Sequence, residues 1–234
     1  RYSSTGKEYK CQFQNVDREF KSLFRARNSG WMVGEADEAQ LEFRVAVWYG
    51  QDDQGLRDIQ GNFDVHSFTA DIIYPRERDR SIARQNAKAH TFKPLYGGTS
   101  GTPSERRYYR AFTEKYRGIT REQDKWVDEA VINKELTLPT GMKFYFPSLK
   151  VTHTGYVEGN TSVRNYPVQY LATAEIVPTA LVHAWHCLKS ANAESFITNT
   201  IHDSIICEIH PDERNLFVDV MSESLQEFPV KYMK

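Results

Sequence analysis

Two carboxylates in this sequence each end or bend an apolar, β-rich segment. Asp37 lies in Ala36-Asp37-Glu38-Ala39-Gln40-Leu41-Glu42-Phe43-Arg44, and Asp203 in Ile201-His202-Asp203-Ser204-Ile205-Ile206. Between them Arg84, Lys88, Phe92 and Tyr96 recur at a strict spacing of four, with Gly97 directly behind. That spacing predicts two cations and two aromatic rings on one face of a helix. Separated carboxylates can hold divalent metal ions, and such a face can grip a triphosphate and stack on a base. The combination points to phosphoryl transfer on nucleotides. Each residue also has a plainer reading: an Asp after a strand as a cap or turn residue, a charged helix stripe as a solvated face, an aromatic as core.

In this order, the three blocks resemble the A, B and C motifs of family A DNA polymerases, the DNA polymerase I type. Asp37 through Arg44 resembles the family's Asp-x-Ser-Gln-x-Glu-x-Arg, Arg84 through Gly97 its Arg-x₃-Lys-x₃-Phe-x₃-Tyr-Gly, and His202-Asp203 the His-Asp of its palm hairpin. Arg1-Tyr2-Ser3-Ser4 and Gln12-Phe13-Gln14-Asn15-Val16 resemble the segment that grips the primer-template. Asn165-x₃-Gln169 resembles the start of a further DNA-contacting helix. The likeness runs nearly from end to end.

The resemblance implies a templated DNA polymerase acting on primer-template DNA and dNTPs. Two Mg²⁺ ions about 4 Å apart would activate the primer 3′-hydroxyl and bridge the phosphates. It makes Asp37 and Asp203 the shared metal ligands, with the carbonyl of Glu38 as a further one. Arg84 and Lys88 would grip the β- and γ-phosphates, and Lys88 would also protonate the departing pyrophosphate, a catalytic role. Gln40, Glu42, His66, Phe92 and Tyr96 complete the nucleotide-binding set. Phe92 lies against the incoming sugar, Tyr96 at the template position, and Glu42 under C2′ as a steric gate against ribonucleotides. His66 matches a histidine that touches the triphosphate, and a structural histidine is the alternative reading. Arg1, Gln14, Asn15, Arg44, Asn165, Gln169 and His202 are the implied DNA contacts.

Some positions depart from the pattern. Ser204 stands where the DNA polymerases usually have Glu, which removes a third carboxylate from near the metals. Ala39 stands for Ser, and Thr161 occupies a position where Arg is common, with Arg164 as its possible substitute. Single-subunit RNA polymerases share His-Asp-Ser in the third motif, but lack a Glu at the place of Glu42 and have Met at the place of Phe92. A ribonucleotide polymerase and a non-catalytic nucleic-acid-binding remnant are the alternative functions. Distance from the bacterial pattern in the fingers suggests a viral or phage source.

The 234 residues can build one large or two modest domains. Hydrophobic residues at 40% and aromatics at 13% fit a globular chain. No apolar run approaches the roughly 18 residues of a membrane helix, so no membrane partner is expected. The cysteines Cys11, Cys187 and Cys207 form no CxxC pair, and their odd number argues against a disulfide framework. A reducing cytoplasm is the expected location, the host's if the source is viral. A net charge of −1 is unusual for a nucleic-acid enzyme, but residues 76–110 carry nine basic side chains against three acidic ones, a local balance of +6. No processivity partner is legible. Arg1-Tyr2-Ser3-Ser4 has neither an initiator Met nor a signal-peptide layout, so the sequence reads as a fragment.

The elements that must position these residues follow from pattern. Trp31–Ala36 predicts a strand delivering Asp37, and Leu41–Trp48 the start of a buried helix. Gly50–Gly61 predicts a polar loop. Helices are expected over 63–74, over 81–95 with Asp79 or Ser81 as N-cap and Pro94 kinking or ending its last turn, and over 105–116 and 122–134. Leu136–Phe146 predicts a β-hairpin around Pro139-Thr140-Gly141. The longest helix is expected over 163–188, interrupted by Pro167 and Pro178. Two strands over 196–209 fold at His202-Asp203, and a final helix covers 212–227 behind Pro211. The fold class expected from the resemblance is α+β, the polymerase right hand: an antiparallel palm at 1–62 and 165–234, and helical fingers at 63–164. The thumb and any exonuclease are expected upstream of Arg1.

Overall fold

Met32, Gly34 and Ala36 turn inward while Val33, Glu35 and Asp37 turn outward, the period-two pattern of a half-buried strand, β1 (Met32–Asp37). The computed structural model describes residue 20 and residues 22–229. Helices α1 (Leu41–Gly50), α2 (Asp53–Gln60), α3 (Val65–Ile73) and α4 (Arg80–Thr91) come next, then a 3₁₀ turn at Pro94–Tyr96. They are followed by α5 (Pro103–Lys115) and α6 (Arg117–Asn133), and by the short strands β2 (Glu135–Thr137), β3 (Lys143–Tyr145), β4 (Lys150–Val151) and β5 (Val157–Glu158). The chain continues as α7 (Asn160–Gln169), a π-helical stretch at Tyr170–Ile176, α8 (Val177–Ser190), β6 (Phe196–Ile201) and β7 (Ser204–Ile209). It closes with a 3₁₀ turn at Pro211–Glu213, α9 (Arg214–Ser222) and a π-helical turn at Glu223–Glu227. These elements form two compact units, one made of residues up to Ala39 with Glu175 onward, the other of Gln40–Ala174.

The first unit is built on an antiparallel sheet of order β1-β7-β6. Its inner face, Ile205, Cys207 and Ile209, packs on Ala180, Ala184 and Leu188 of α8 and on Val220, Met221 and Leu225. Gly34 packs closely there: a Cβ would sit 2.3 Å from Ile209 Cδ1, so that side-chain end would have to shift. Cys187 and Cys207 are free thiols, and burial pushes the Cys207 thiol up to about 12. Cys11 lies outside the described residues. Among those described, no helix is long and apolar enough to cross a membrane.

The second unit is mainly helical. Leu41, Phe43, Val45, Ala46 and Val47 of α1 are buried, as are Trp126, Val127 and Ala130 of α6. β2 and β3 pair antiparallel around Gly141, which has φ 87°, as expected for the Pro-Thr-Gly turn. The small ladder of β4 with β5 was not expected from the sequence.

Four expectations need correcting. The polar segment 50–61 contains a helix, α2. Asp52 caps it, accepting from Gly55 N at 2.7 Å, and Gly55 permits close packing, since a Cβ would lie 2.4 Å from Val47 Cγ2. The helix expected from 122 begins at Arg117, because the same Asp52 carboxylate also accepts from Gly118 N at 2.6 Å and Ile119 N at 3.2 Å, capping α6 from 66 and 67 positions away in the chain. The helix expected over 163–188 is three pieces, α7, a π-helical stretch and α8, with Pro167 inside the first and Pro178 in the first turn of the last. Proline lacks the N–H that an unbroken ladder needs. The last helix likewise opens as a 3₁₀ turn and closes as a π-helical turn.

Asp52 is 4% exposed and accepts three backbone bonds. Asp52→Ala is expected to destabilise the fold by about 3 kcal/mol, because it strands buried donors at two helix starts. Urea unfolding followed by circular dichroism measures this. A loss under about 1 kcal/mol contradicts the assignment.

Candidate active site

The β1–β7 register places Asp37 opposite Ser204, and Ile201 pairs with Ser204 across the hairpin, so His202 and Asp203 form a two-residue turn. His202 takes φ 55°, as such a turn demands of its first residue. Asp37, the last residue of β1, and Asp203, in the turn that enters the adjacent strand β7, therefore stand at the same end of one sheet. Main-chain ladders hold them there, independent of their own side chains. Asp37 and His202 are exposed, while Asp203 and Glu38 are partly exposed. Ser204 is buried, and its hydroxyl lies 3.1 Å from Glu35 Oε1 and 3.0 Å from the Ile201 carbonyl. Among the described residues no group of three or more His, Cys, Asp or Glu is arranged to hold a metal. Two hard oxygen donors at an open sheet end suit Mg²⁺, which usually keeps several waters and takes one or two carboxylates together with substrate phosphates.

In the second unit, Arg84 and Lys88 lie on α4 as expected, but the four-residue period does not run along one helix. α4 ends at Thr91, Phe92 is its C-cap, and Tyr96 belongs to the 3₁₀ turn. Pro94 is the cause: it donates no N–H, and its ring conflicts with the carbonyl four residues back. Gly97 follows at φ 75°, and a Cβ there would meet Arg164 Cδ at 2.8 Å.

The aromatic pair is held by contacts with α1. The Tyr96 hydroxyl donates to the Glu42 carboxylate, and the Phe92 ring lies 5.9 Å from Phe43 and 5.8 Å from His66, centroid to centroid. Phe43 itself is buried against Tyr116 at 5.1 Å, so the sequence alternation that hides Leu41 and Phe43 leaves Glu42 partly exposed beside Tyr96. Gln40 is the exposed, left-handed N-cap of α1, and Arg44 is exposed one turn in.

α4 packs on α3 through Ala83, Ala87 and Ala70, small residues that allow close approach. The interface continues through Thr91 Oγ1, 3.1 Å from Thr69 Oγ1 and 2.9 Å from His66 Nδ1. Asp64 is the N-cap of α3, accepting from His66 N and Ser67 N at 3.1 Å each. It also accepts from Arg84 Nε at 2.7 Å. The Arg84 guanidinium holds the Asp64 carboxyl well below the usual carboxylate range. Burial, then the charges of Arg84 and Lys88, against Asp64, push His66 below its ordinary value, so its ring is neutral near pH 7. Arg84, Lys88, His66 and Phe92 thus gather along one seam. Asp64 was not singled out from the sequence as a partner of Arg84. The signal was present in the cap position two residues before His66.

Of the implied DNA contacts, Arg1, Gln14 and Asn15 lie outside the described residues. Gln169 is exposed at the end of α7, and Asn165 has its Oδ1 buried without a hydrogen-bond partner among the described residues. Arg164 is engaged by Asp124 at 2.6 Å.

Comparison with known proteins gives these geometries a context. The family model "DNA polymerase family A" matches residues 11–233. DNA polymerase I of Bacillus caldotenax is 23% identical over 224 residues, covering 90% of this chain and 25% of that protein. The thermostable DNA polymerase I of Thermus aquaticus is 25% identical over 210 residues, covering 85% and 25%. The chain thus spans about a quarter of the length of the curated relatives it matches. Among solved structures, the polymerase domain of Pol1 from M. smegmatis, in complex with DNA primer-template and dNTP, aligns with a TM-score of 0.74 at 20% identity. The alignment covers 92% of this chain and 41% of that one. The fold is accordingly the α+β polymerase right hand. With the family model matching nearly the whole length, the chain belongs to DNA polymerase family A.

Proposed function

We propose that this chain forms the palm and fingers of a DNA-templated DNA polymerase that extends a primer 3′-hydroxyl with dNTPs. The palm is drawn from residues 1–62 and 165–234 and the fingers from 63–164. The compact units divide the chain elsewhere, after Ala39 and after Ala174, so α1, α2 and the whole of α7 pack with the helical unit. The observation that carries the reading is the strand register that sets Asp37 against Ser204, next to the Asp203 turn.

Asp37, Asp203 and the Glu38 carbonyl would hold two Mg²⁺ ions. When bound, these ions make the 3′-hydroxyl nucleophilic and neutralise charge on the pyrophosphate. Arg84 and Lys88 bind the β- and γ-phosphates in line, and Lys88 Nζ gives a proton to the departing pyrophosphate. His66, neutral beside them, lies at the triphosphate edge. Phe92 packs on the sugar. Glu42, oriented by the Tyr96 hydroxyl, closes the space under C2′, and Gln40 completes the nucleotide pocket. Arg44, Asn165, Gln169 and His202, with Arg1, Gln14 and Asn15, contact the primer-template.

Single-nucleotide incorporation by the full-length protein under pre-steady-state conditions tests the phosphate grip. Lys88→Ala is expected to slow the chemical step, and Arg84→Ala mainly to weaken dNTP binding. Each loses about ten- to a hundredfold, the value of an ionic hydrogen bond in a desolvated site. Unchanged rate and affinity in both variants would make α4 a solvated face and overturn the reading.

A further inference from the structure

The Arg84 side chain, long and half exposed, would ordinarily sample many rotamers, and a triphosphate would have to order it on binding. In this structure it is already ordered from behind. Asp64 Oδ2 accepts from Arg84 Nε at 2.7 Å and from Ser67 Oγ at 2.8 Å, while Oδ1 accepts from the backbone N–H of His66 and Ser67 at 3.1 Å each. Three bonds from His66 and Ser67 fix the carboxylate, and it in turn fixes the guanidinium through the fourth. The edge engaged is Nε. Among the described residues neither terminal nitrogen of Arg84 has a hydrogen-bond partner, so the two-pronged end that suits phosphate remains available. A carboxylate that competed with phosphate would occupy that end instead.

We propose that Asp64 is a positioning residue of the nucleotide grip: it touches no nucleotide, and sets dNTP affinity by holding Arg84 with its terminal nitrogens presented beside Lys88 and His66. The inference rests on the polymerase reading above and deepens it. The anchor is rigid for reasons independent of Arg84. Asp64 caps α3, and α3 is locked to α4 through Ala70, Ala83 and Ala87 and through the Thr69–Thr91 hydroxyl pair. The Arg84 Cα and the Asp64 carboxylate are thus held by the same two-helix seam. Because the ion pair keeps the Asp64 carboxyl far below neutrality, the device works unchanged across the pH range in which a polymerase acts.

Asp64→Asn separates positioning from folding, since the amide oxygen can still cap α3 while the charge that holds Arg84 is gone. Asp64→Ser, another good N-cap residue, is the second variant should the first melt at lower temperature than the parent. The readouts are equilibrium dNTP binding to the full-length protein on a dideoxy-terminated primer-template, and KM and kcat for single-nucleotide incorporation. Asp64→Asn is expected to raise Kd and KM for dNTP about tenfold, with kcat changed less than about threefold. In an Arg84→Ala background it is expected to add nothing, because its only route is through Arg84. If Arg84→Ala weakens dNTP binding while Asp64→Asn leaves it unchanged or tightens it, positioning by Asp64 is wrong and the phosphate grip stands. If Arg84→Ala itself leaves dNTP affinity unchanged, the grip and the positioning role fall together.

Discussion

Asp37→Ala or Asp203→Ala is expected to abolish primer extension while leaving duplex binding largely intact. Each carboxylate is a ligand shared by both proposed ions, so its loss removes nucleophile activation and charge neutralisation together, a loss of several orders of magnitude. The sheet should survive, because the ladders that bring Asp37 opposite Ser204 are main-chain and both side chains face solvent at least in part. Few DNA contacts disappear with them. Extension rates measured with a labelled primer, beside duplex binding by anisotropy, separate the two effects. Extension within about tenfold of the parent in either variant would defeat the metal assignment.

The second large effect concerns the sugar. With Glu42 bonded to the Tyr96 hydroxyl and the Phe92 ring tilted against Phe43 at 5.9 Å, the proposed sugar pocket would have a polar floor and an aromatic wall. A 2′-hydroxyl would collide with that floor or demand a buried hydrogen bond. Glu42→Ala is expected to raise ribonucleotide incorporation relative to dNTP on the order of a hundredfold. Phe92→Tyr acts differently: its hydroxyl can replace the bond lost with a missing 3′-hydroxyl, so that variant accepts dideoxynucleotides more readily without gaining ribonucleotides. Competition of dNTP with rNTP, and of dNTP with ddNTP, on one primer-template reads both. A parent that prefers rNTPs would shift the assignment to the RNA polymerase alternative to which Ser204 belongs.

The parts of this fold that sequence made legible are those where local pattern and tertiary demand agree. Alternation gave β1, β6 and β7, and hence the shared sheet end of Asp37 and Asp203. The Pro-Thr-Gly turn gave β2 and β3. What stayed hidden depended on distant partners. The 53–60 helix reads as a loop because Gly55 and its acidic neighbours have poor propensity, and only packing on Val47 and the Asp52 cap reveal it. The early start of α6 depends on that same carboxylate, far away in sequence. The spacing of Arg84, Lys88, Phe92 and Tyr96 looked like one helix, yet Pro94 breaks it. Phe92 and Tyr96 reach their places through Phe43 and Glu42 instead. The roles implied for Asp37, Arg84 and Glu42 came from resemblance, whereas the Asp64–Arg84 pair emerged only in three dimensions.

The two carboxylates at the sheet end are proposed to make this a metal-dependent DNA polymerase. The most direct test is templated extension of a labelled primer by the full-length protein with dNTPs and Mg²⁺, beside Asp203→Asn, a substitution that keeps the hairpin turn and removes only the charge. Template-directed extension by the parent, and its loss in the variant by at least about a thousandfold, are expected. Equal extension by both proteins, or none by the parent, would contradict the proposal.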